Sequence, residues 1–141
     1  MKIQIQKINS EAKIPKYTID GDAGMELYSV DDMIILPGQI LACATGIIVA
    51  IPDGYAGLIW DKSGIALNGG IKTMGGVIDS NYRGEVRVIL KNLSEKEYII
   101  GRGNKIAQMI IQKVEAPILE EVDELSKTER GGGGFGSTGL I

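Results

Sequence analysis

The pattern that most limits how this chain can fold is a series of short apolar runs, each cut off by glycine or proline, with almost no helical period. Residues 2–8 alternate lysine, isoleucine and glutamine, the period of two that sets one strand face on a core and the other in water. Strand-like runs recur at 33–36, 40–51, 55–60, 86–92, 98–100 and 105–114. Turn signals separate them at Pro37-Gly38, Pro52-Asp53-Gly54 and Gly101-Arg102-Gly103. Such spacing predicts an antiparallel barrel or jelly roll rather than a helical or α/β fold. The one helix expected is short, over 63–68, with Ser63 as a candidate cap and its first free N–H groups as a candidate anion contact.

Composition narrows the class. At 141 residues the chain suits a single domain with a real core, aliphatic because aromatics are 5%. Lys and Arg total 15 against 18 acidic residues, a net charge of −3, which argues against a nucleic-acid or anionic-membrane surface. A few local cations would still suffice for a phosphorylated small molecule. The lone Cys43 lies in an apolar run and reads as a free, buried thiol. No apolar leader region and no membrane-length apolar run is visible, which predicts a soluble intracellular protein, cytoplasmic, or nuclear in a eukaryotic or viral setting.

Histidine is absent. That excludes Ser-His-Asp and Cys-His catalysis and, with one cysteine, the usual zinc sites. A general base must then be a carboxylate or, less readily, a lysine or tyrosine, and any metal is a hard, oxygen-bound one. The densest polar cluster in an apolar setting runs from Gly75 to Glu85 and contains Asp79, Ser80, Asn81, Tyr82 and Arg83. Taken locally it is either a hairpin in which Asp79 closes an Asx turn or a ligand site built on the double glycine. The terminal Arg130-Gly131-Gly132-Gly133-Gly134-Phe135-Gly136-Ser137-Thr138-Gly139 is open in the same way: a solvated tail, or an arm that orders over a ligand. The acidic run 120–124 reads as a solvated lead into it.

The segment 76–85, GVIDSNYRGE, closely resembles the third motif of the homotrimeric dUTP pyrophosphatases (dUTPases). Four more segments fit that family in order: Asp22–Leu27, Lys62–Ala66, Gly103–Gln108 and the tail at 130–139. The resemblance spans nearly the whole chain. It implies an all-β, distorted jelly-roll-like subunit over 1–125, a flexible Gly-rich arm over 126–141, and a homotrimer with active sites shared between subunits. The implied reaction is hydrolysis of dUTP to dUMP and pyrophosphate, with Mg²⁺ carried on the triphosphate, which limits uracil incorporation into DNA and supplies dUMP for dTMP synthesis.

Resemblance also assigns the parts. Asp79 would activate the water that attacks the α-phosphorus. Tyr82 would pack under the deoxyribose, and the main chain of Met74, Gly75 and Gly76 would read uracil. Lys62, Ser63, Gly64 and Gln108 would contact phosphates. In the arm, Arg130 would hold the γ-phosphate, Phe135 would cover uracil, and Gly136, Ser137 and Thr138 would help close the site. Glu26 would hold water ligands of the metal.

The chain departs from the family pattern at Glu26, where Asp is usual, and at Lys62 and Lys105, where Arg is usual. Asp61 stands where the family has Pro or Gly, and sets a negative charge beside the phosphates unless it is paired or turned away. Asp22 is a second candidate for the work of Glu26. The rival reading is a dCTP deaminase of the same fold, whose second motif carries a further serine and a nearby arginine; Gly64 and Leu67 supply neither. A non-enzymatic nucleotide-sensing or protein-binding module is the third, opposed by the joint presence of Asp79, Gln108 and Arg130.

Overall fold

The computed structural model describes residues 1–134. Eleven strands and one helix follow in chain order: β1 Gln4–Lys7, β2 Met25–Tyr28, β3 Met33–Ile35, β4 Ile40–Ala44, β5 Ile47–Ala50, β6 Tyr55–Trp60, α1 Ser63–Gly69, β7 Ile71–Met74, β8 Val77–Ile78, β9 Arg87–Asn92, β10 Tyr98–Ile100 and β11 Lys105–Lys113. Every named pairing is antiparallel. The larger sheet has the order β2-β11-β6-β8, the second β4-β9-β7, and two short pairs, β1-β5 and β10-β3, complete the set. Strands distant in sequence lie side by side, as in a jelly roll, and the all-β expectation holds.

One aliphatic core joins the sheets. Leu27, Ile59, Ile106 and Met109 enter it from the larger sheet, Cys43, Ile71, Val88 and Leu90 from the second, and Ile35, Ile47 and Val49 from the short pairs. Full burial of such a side chain is worth about 1.5–3 kcal/mol. Cys43 is the free, buried thiol anticipated, and burial pushes its pKa up. No helix among the described residues is long and apolar enough to cross a membrane.

Three details differ from the sequence reading. The run 40–51 is two strands, because Thr45 and Gly46 leave the ladder: Thr45 Oγ1 donates to the Val86 carbonyl at 2.5 Å and Gly46 N to Glu85 Oε1 at 2.8 Å. Strands β2 and β7 arise in stretches with no alternating pattern, since β2 is buried on both faces. Ser63 does not cap α1; Lys62 holds the cap position in an extended conformation without a side-chain bond, and Ser63 is the first helical residue.

Asn92 is the polar pin of the core. Fully buried, it donates from Nδ2 to the carbonyls of Ile35 (2.8 Å) and Lys96 (2.7 Å) and accepts at Oδ1 from Ser94 N (2.9 Å) and Oγ (2.8 Å). Asn92→Ala removes all four bonds and strands buried groups. A loss of about 1–3 kcal/mol in unfolding free energy is expected by denaturant titration.

Candidate active site

The register of β11 assembles half of the site. Gln108 lies opposite Glu26 of β2 on one side and Trp60 of β6 on the other. Between Lys105 and Ala107 the pairing with β2 shifts, so that Lys105 faces Tyr28. Side chains alternate along a strand, so regular pairing would turn Lys105 to the face opposite Glu26; the bulge returns it to the same face.

Glu26, Lys62 and Lys105 meet there. Glu26 is 7% exposed. Its Oε1 accepts from Lys62 Nζ at 2.8 Å, from Lys105 Nζ at 3.1 Å and from Thr18 Oγ1 at 3.4 Å; its Oε2 accepts from Lys62 Nζ at 2.7 Å. Burial pushes the Glu26 carboxyl up, but the hydrogen bonds and charges of the two lysines outweigh it and hold the group below its ordinary value. Lys105 Nζ also donates to Thr18 Oγ1 at 3.2 Å. Asp22 accepts at Oδ2 from the Thr18 and Ile19 N–H groups and so shapes the loop that carries Thr18. Nothing in the sequence marked Thr18.

Gln108 Nε2 donates to the Asp61 carbonyl at 2.8 Å, which ties β11 to the segment before α1. Gly24 makes room for it: a Cβ there would lie 2.7 Å from Gln108 Oε1. Asp61 faces neither Lys62 nor the open helix start. Its carboxylate accepts from Lys72 Nζ (2.5 Å), Thr73 N (2.6 Å) and Thr73 Oγ1 (2.7 Å), clamping the edge strand β7. Burial raises the Asp61 pKa, and the bonds from Lys72 and Thr73 more than reverse this. Ser63 and Gly64 are exposed at the start of α1, and the Ser63 hydroxyl has no hydrogen-bond partner among the described residues.

The other half lies on the hairpin. Met74 ends β7, and Gly75 and Gly76, at φ of 67° and 97°, carry the chain from one sheet to the other, a corner that favours glycine. The Gly76 carbonyl accepts from Ile59 N at 2.7 Å. A Cβ at Gly76 would meet the Ile59 carbonyl oxygen at 2.9 Å, so a bulky residue there would disturb the corner itself.

Past β8, Asp79 is exposed, and among the described residues its carboxylate has no hydrogen-bond or ion-pair partner. The turn is closed by Tyr82 N donating to the Asp79 carbonyl at 3.2 Å, and Arg83 Nη1 clasps the carbonyls of Ser80 (2.7 Å) and Tyr82 (2.8 Å). The side-chain Asx turn is therefore not made. Tyr82 Oη donates to the Glu85 carbonyl at 3.1 Å, holding the ring over Gly84. Asp79, Tyr82, Val77, Ile78, Ala42, Glu85, Arg87 and Ile89 line a cavity of about 300 Å³.

The two halves are apart within one subunit. Ile78 faces Gly57, whereas Gln108 faces Trp60, three residues further along β6. That is about 10 Å of strand, with Asp79 beyond one end of the interval and Lys62 beyond the other. Arg130 is exposed, its Nε donating to the Gly133 carbonyl at 2.8 Å. Phe135, Gly136, Ser137 and Thr138 lie outside the described residues.

An all-β fold with an acid and two lysines beside a helix start, and with an aspartate unpaired among the described residues in the lining of a cavity, has groups suited to an anionic small molecule. The family model for dUTPase matches residues 10–139. The deoxyuridine 5'-triphosphate nucleotidohydrolase of Clostridium kluyveri is 44% identical over 143 positions, with 100% of each chain covered. That of Helicobacter pylori is 42% identical, with 99% of this chain and 98% of the relative covered. A Staphylococcus bacteriophage 80alpha dUTPase solved with dUPNHPP superposes at a TM-score of 0.94 and 28% identity, covering 99% of both chains. The chain belongs to the dUTPase family, and it is an enzyme of that class, a dUTP diphosphatase.

Because its folded-state pKa is depressed, Asp61 adds stability that is present above its unfolded value and lost as pH falls through the folded one. Asp61→Asn should lower unfolding free energy by about 1 kcal/mol at pH 7. The deficit should shrink once the pH drops below about 4. Denaturant titrations of both proteins at pH 7 and pH 3 check this; a deficit that is equal at both would contradict it.

Proposed function

We propose that this chain hydrolyses dUTP to dUMP and pyrophosphate at sites completed between the subunits of a homotrimer. The observation that carries the reading is Asp79: an exposed carboxylate, unpartnered among the described residues, in the lining of the cavity that Tyr82 also lines, in a chain without histidine and of this family. Asp79 orients a water and takes its proton as the oxygen attacks the α-phosphorus; the bond from that phosphorus to the bridging oxygen breaks and pyrophosphate leaves. A carboxylate is a weak base, so this step contributes about 10²–10⁴-fold. Alignment and neutralisation of phosphate charge provide the rest.

The sugar enters the cavity, with the deoxyribose on Tyr82, where a ribose 2′-hydroxyl would clash. Main-chain groups of Met74, Gly75 and Gly76 read uracil, one lone pair of the Gly76 carbonyl being already engaged by Ile59. Phosphates meet Lys62, Lys105, Ser63, Gly64 and Gln108. The separation of these residues from Asp79 within one subunit is the reason to assign the two halves of a site to different copies. Residues 126–141 form the arm, with Arg130 on the γ-phosphate, Phe135 over the base, and Gly136, Ser137 and Thr138 closing over the phosphates. Closure excludes water and strengthens each charge contact.

The donor set suits Mg²⁺ held through water. No three His, Cys, Asp or Glu side chains converge among the described residues, while Glu26 Oε2 accepts one hydrogen bond and keeps a lone pair for a metal-bound water. When bound on the triphosphate, the metal would neutralise phosphate charge. The reaction would keep uracil out of DNA and supply dUMP for dTMP synthesis, in the soluble intracellular compartment.

Incubation with dUTP and Mg²⁺ should release pyrophosphate, and dCTP should release no ammonia; ammonia from dCTP would instead mark a deaminase, and silence with both would end the enzyme reading. Asp79→Asn should retain dUPNHPP binding in calorimetry while turnover falls by about 10²–10⁴-fold. Deleting residues 130–141 should leave the melting curve and a trimeric mass by light scattering intact, and remove most activity.

A further inference from the structure

Glu26, Lys62 and Lys105 come from distant parts of the chain and converge on one another. The acid is a glutamate, one methylene longer than an aspartate, and each base ends in an ammonium and not in the longer, planar guanidinium. We infer that the three form one length-matched unit, in which Glu26 is a positioning residue that sets the two ammonium groups for the triphosphate, so that each side-chain length works only in company with the others. The inference rests on the dUTP-hydrolysing function proposed above.

The geometry carries it. Lys62 Nζ sits 2.8 and 2.7 Å from the two Glu26 oxygens, and Lys105 Nζ is 3.1 Å from Oε1. Shortening the acid by one C–C bond, about 1.5 Å, takes these contacts past hydrogen-bond range. A buried carboxylate left unpaired is costly, so the acid cannot simply retreat from its partners. Replacing an ammonium by the larger planar guanidinium has the opposite fault, since nitrogen already stands at contact distance and the carboxylate has to withdraw to admit it. An aspartate withdraws it by the needed amount. Long acid with short bases, or short acid with long bases, both close the gap; mixtures do neither.

Donor counting gives the unit its role. An ammonium has three N–H groups. Lys62 directs two bonds to Glu26, and Lys105 directs one to Glu26 and one to Thr18, leaving one donor on each. Their side chains are 24% and 39% exposed, so neither lysine is sealed in the core with its remaining donor. Glu26 thereby fixes the aim of two positive charges without touching the substrate.

The test is a cycle of Glu26→Asp, Lys62→Arg, Lys105→Arg, the double E26D/K62R, and the triple E26D/K62R/K105R, assayed on the full chain with dUTP and Mg²⁺. Each single variant should raise KM for dUTP about tenfold, the loss of one charge-assisted bond, with a smaller change in kcat. dUPNHPP binding should weaken in parallel, while inhibition by deoxyuridine, which has no phosphate, should stay the same. The double should outperform at least one of its parents, and the triple should return to within about threefold of the unsubstituted enzyme. A triple whose loss equals the product of the three single losses would overturn the inference, as would equal loss of deoxyuridine and dUTP binding. Melting curves without nucleotide record the same coupling independently of activity: single losses that add in the triple count against it. Failure of the unsubstituted protein to hydrolyse dUTP would refute the functional reading, and the melting cycle would still decide the coupling.

Discussion

The double pairing of β11 is the constraint on which the rest hangs. This nine-residue strand bonds β2 along one edge and β6 along the other, and those three strands carry Glu26, Gln108 and the segment leading to Lys62. Its apolar residues Ile106, Ala107 and Met109 reach the core, while its polar residues Lys105 and Gln108 line the site. Two consecutive buried residues, Ile106 and Ala107, are the mark of the bulge that lets one strand serve both purposes. The same strand therefore couples core packing to the placement of charge.

Electrostatics decide the character of each half. On the β11 side a buried carboxylate survives because two ammonium groups compensate its lost hydration, leaving a net positive site with open donors. On the hairpin side Asp79 is exposed, unpaired among the described residues, and lines a largely apolar cavity. A single subunit keeps these apart, so base and cations do not neutralise one another. Asp61 contributes to the division: by clamping Thr73 it holds β7 beside the segment before α1, and its charge is taken up by Lys72 instead of by Lys62 or Lys105.

The strand plan was largely legible because the runs at 55–60, 98–100 and 105–114 have boundaries set by Pro and Gly, whose backbone limits act locally. It failed for β2, which is buried on both faces and so lacks alternation, and for the two-residue β8, too short for any period. Ser63 looked like a helix cap by residue type, but capping depends on which residue takes the extended conformation, and Lys62 does. Asp61 was open between pairing with Lys62 and turning away; in the segment after β6 the two side chains take different partners, Lys72 and Thr73 for Asp61 and Glu26 for Lys62.

Residue types and their order alone determined the β class, the exclusion of histidine chemistry, the candidate carboxylate Asp79 and the family, because these depend on local patterns and on which functional groups exist. Only the tertiary structure decided that Glu26, Lys62 and Lys105 form one ionic unit, that Asp22 supports a loop, and that Asp79 stands free. The physical reason is register: a one-residue shift in β11 reverses which face a side chain takes, and that shift is set by how distant strands pair, where no local pattern records it.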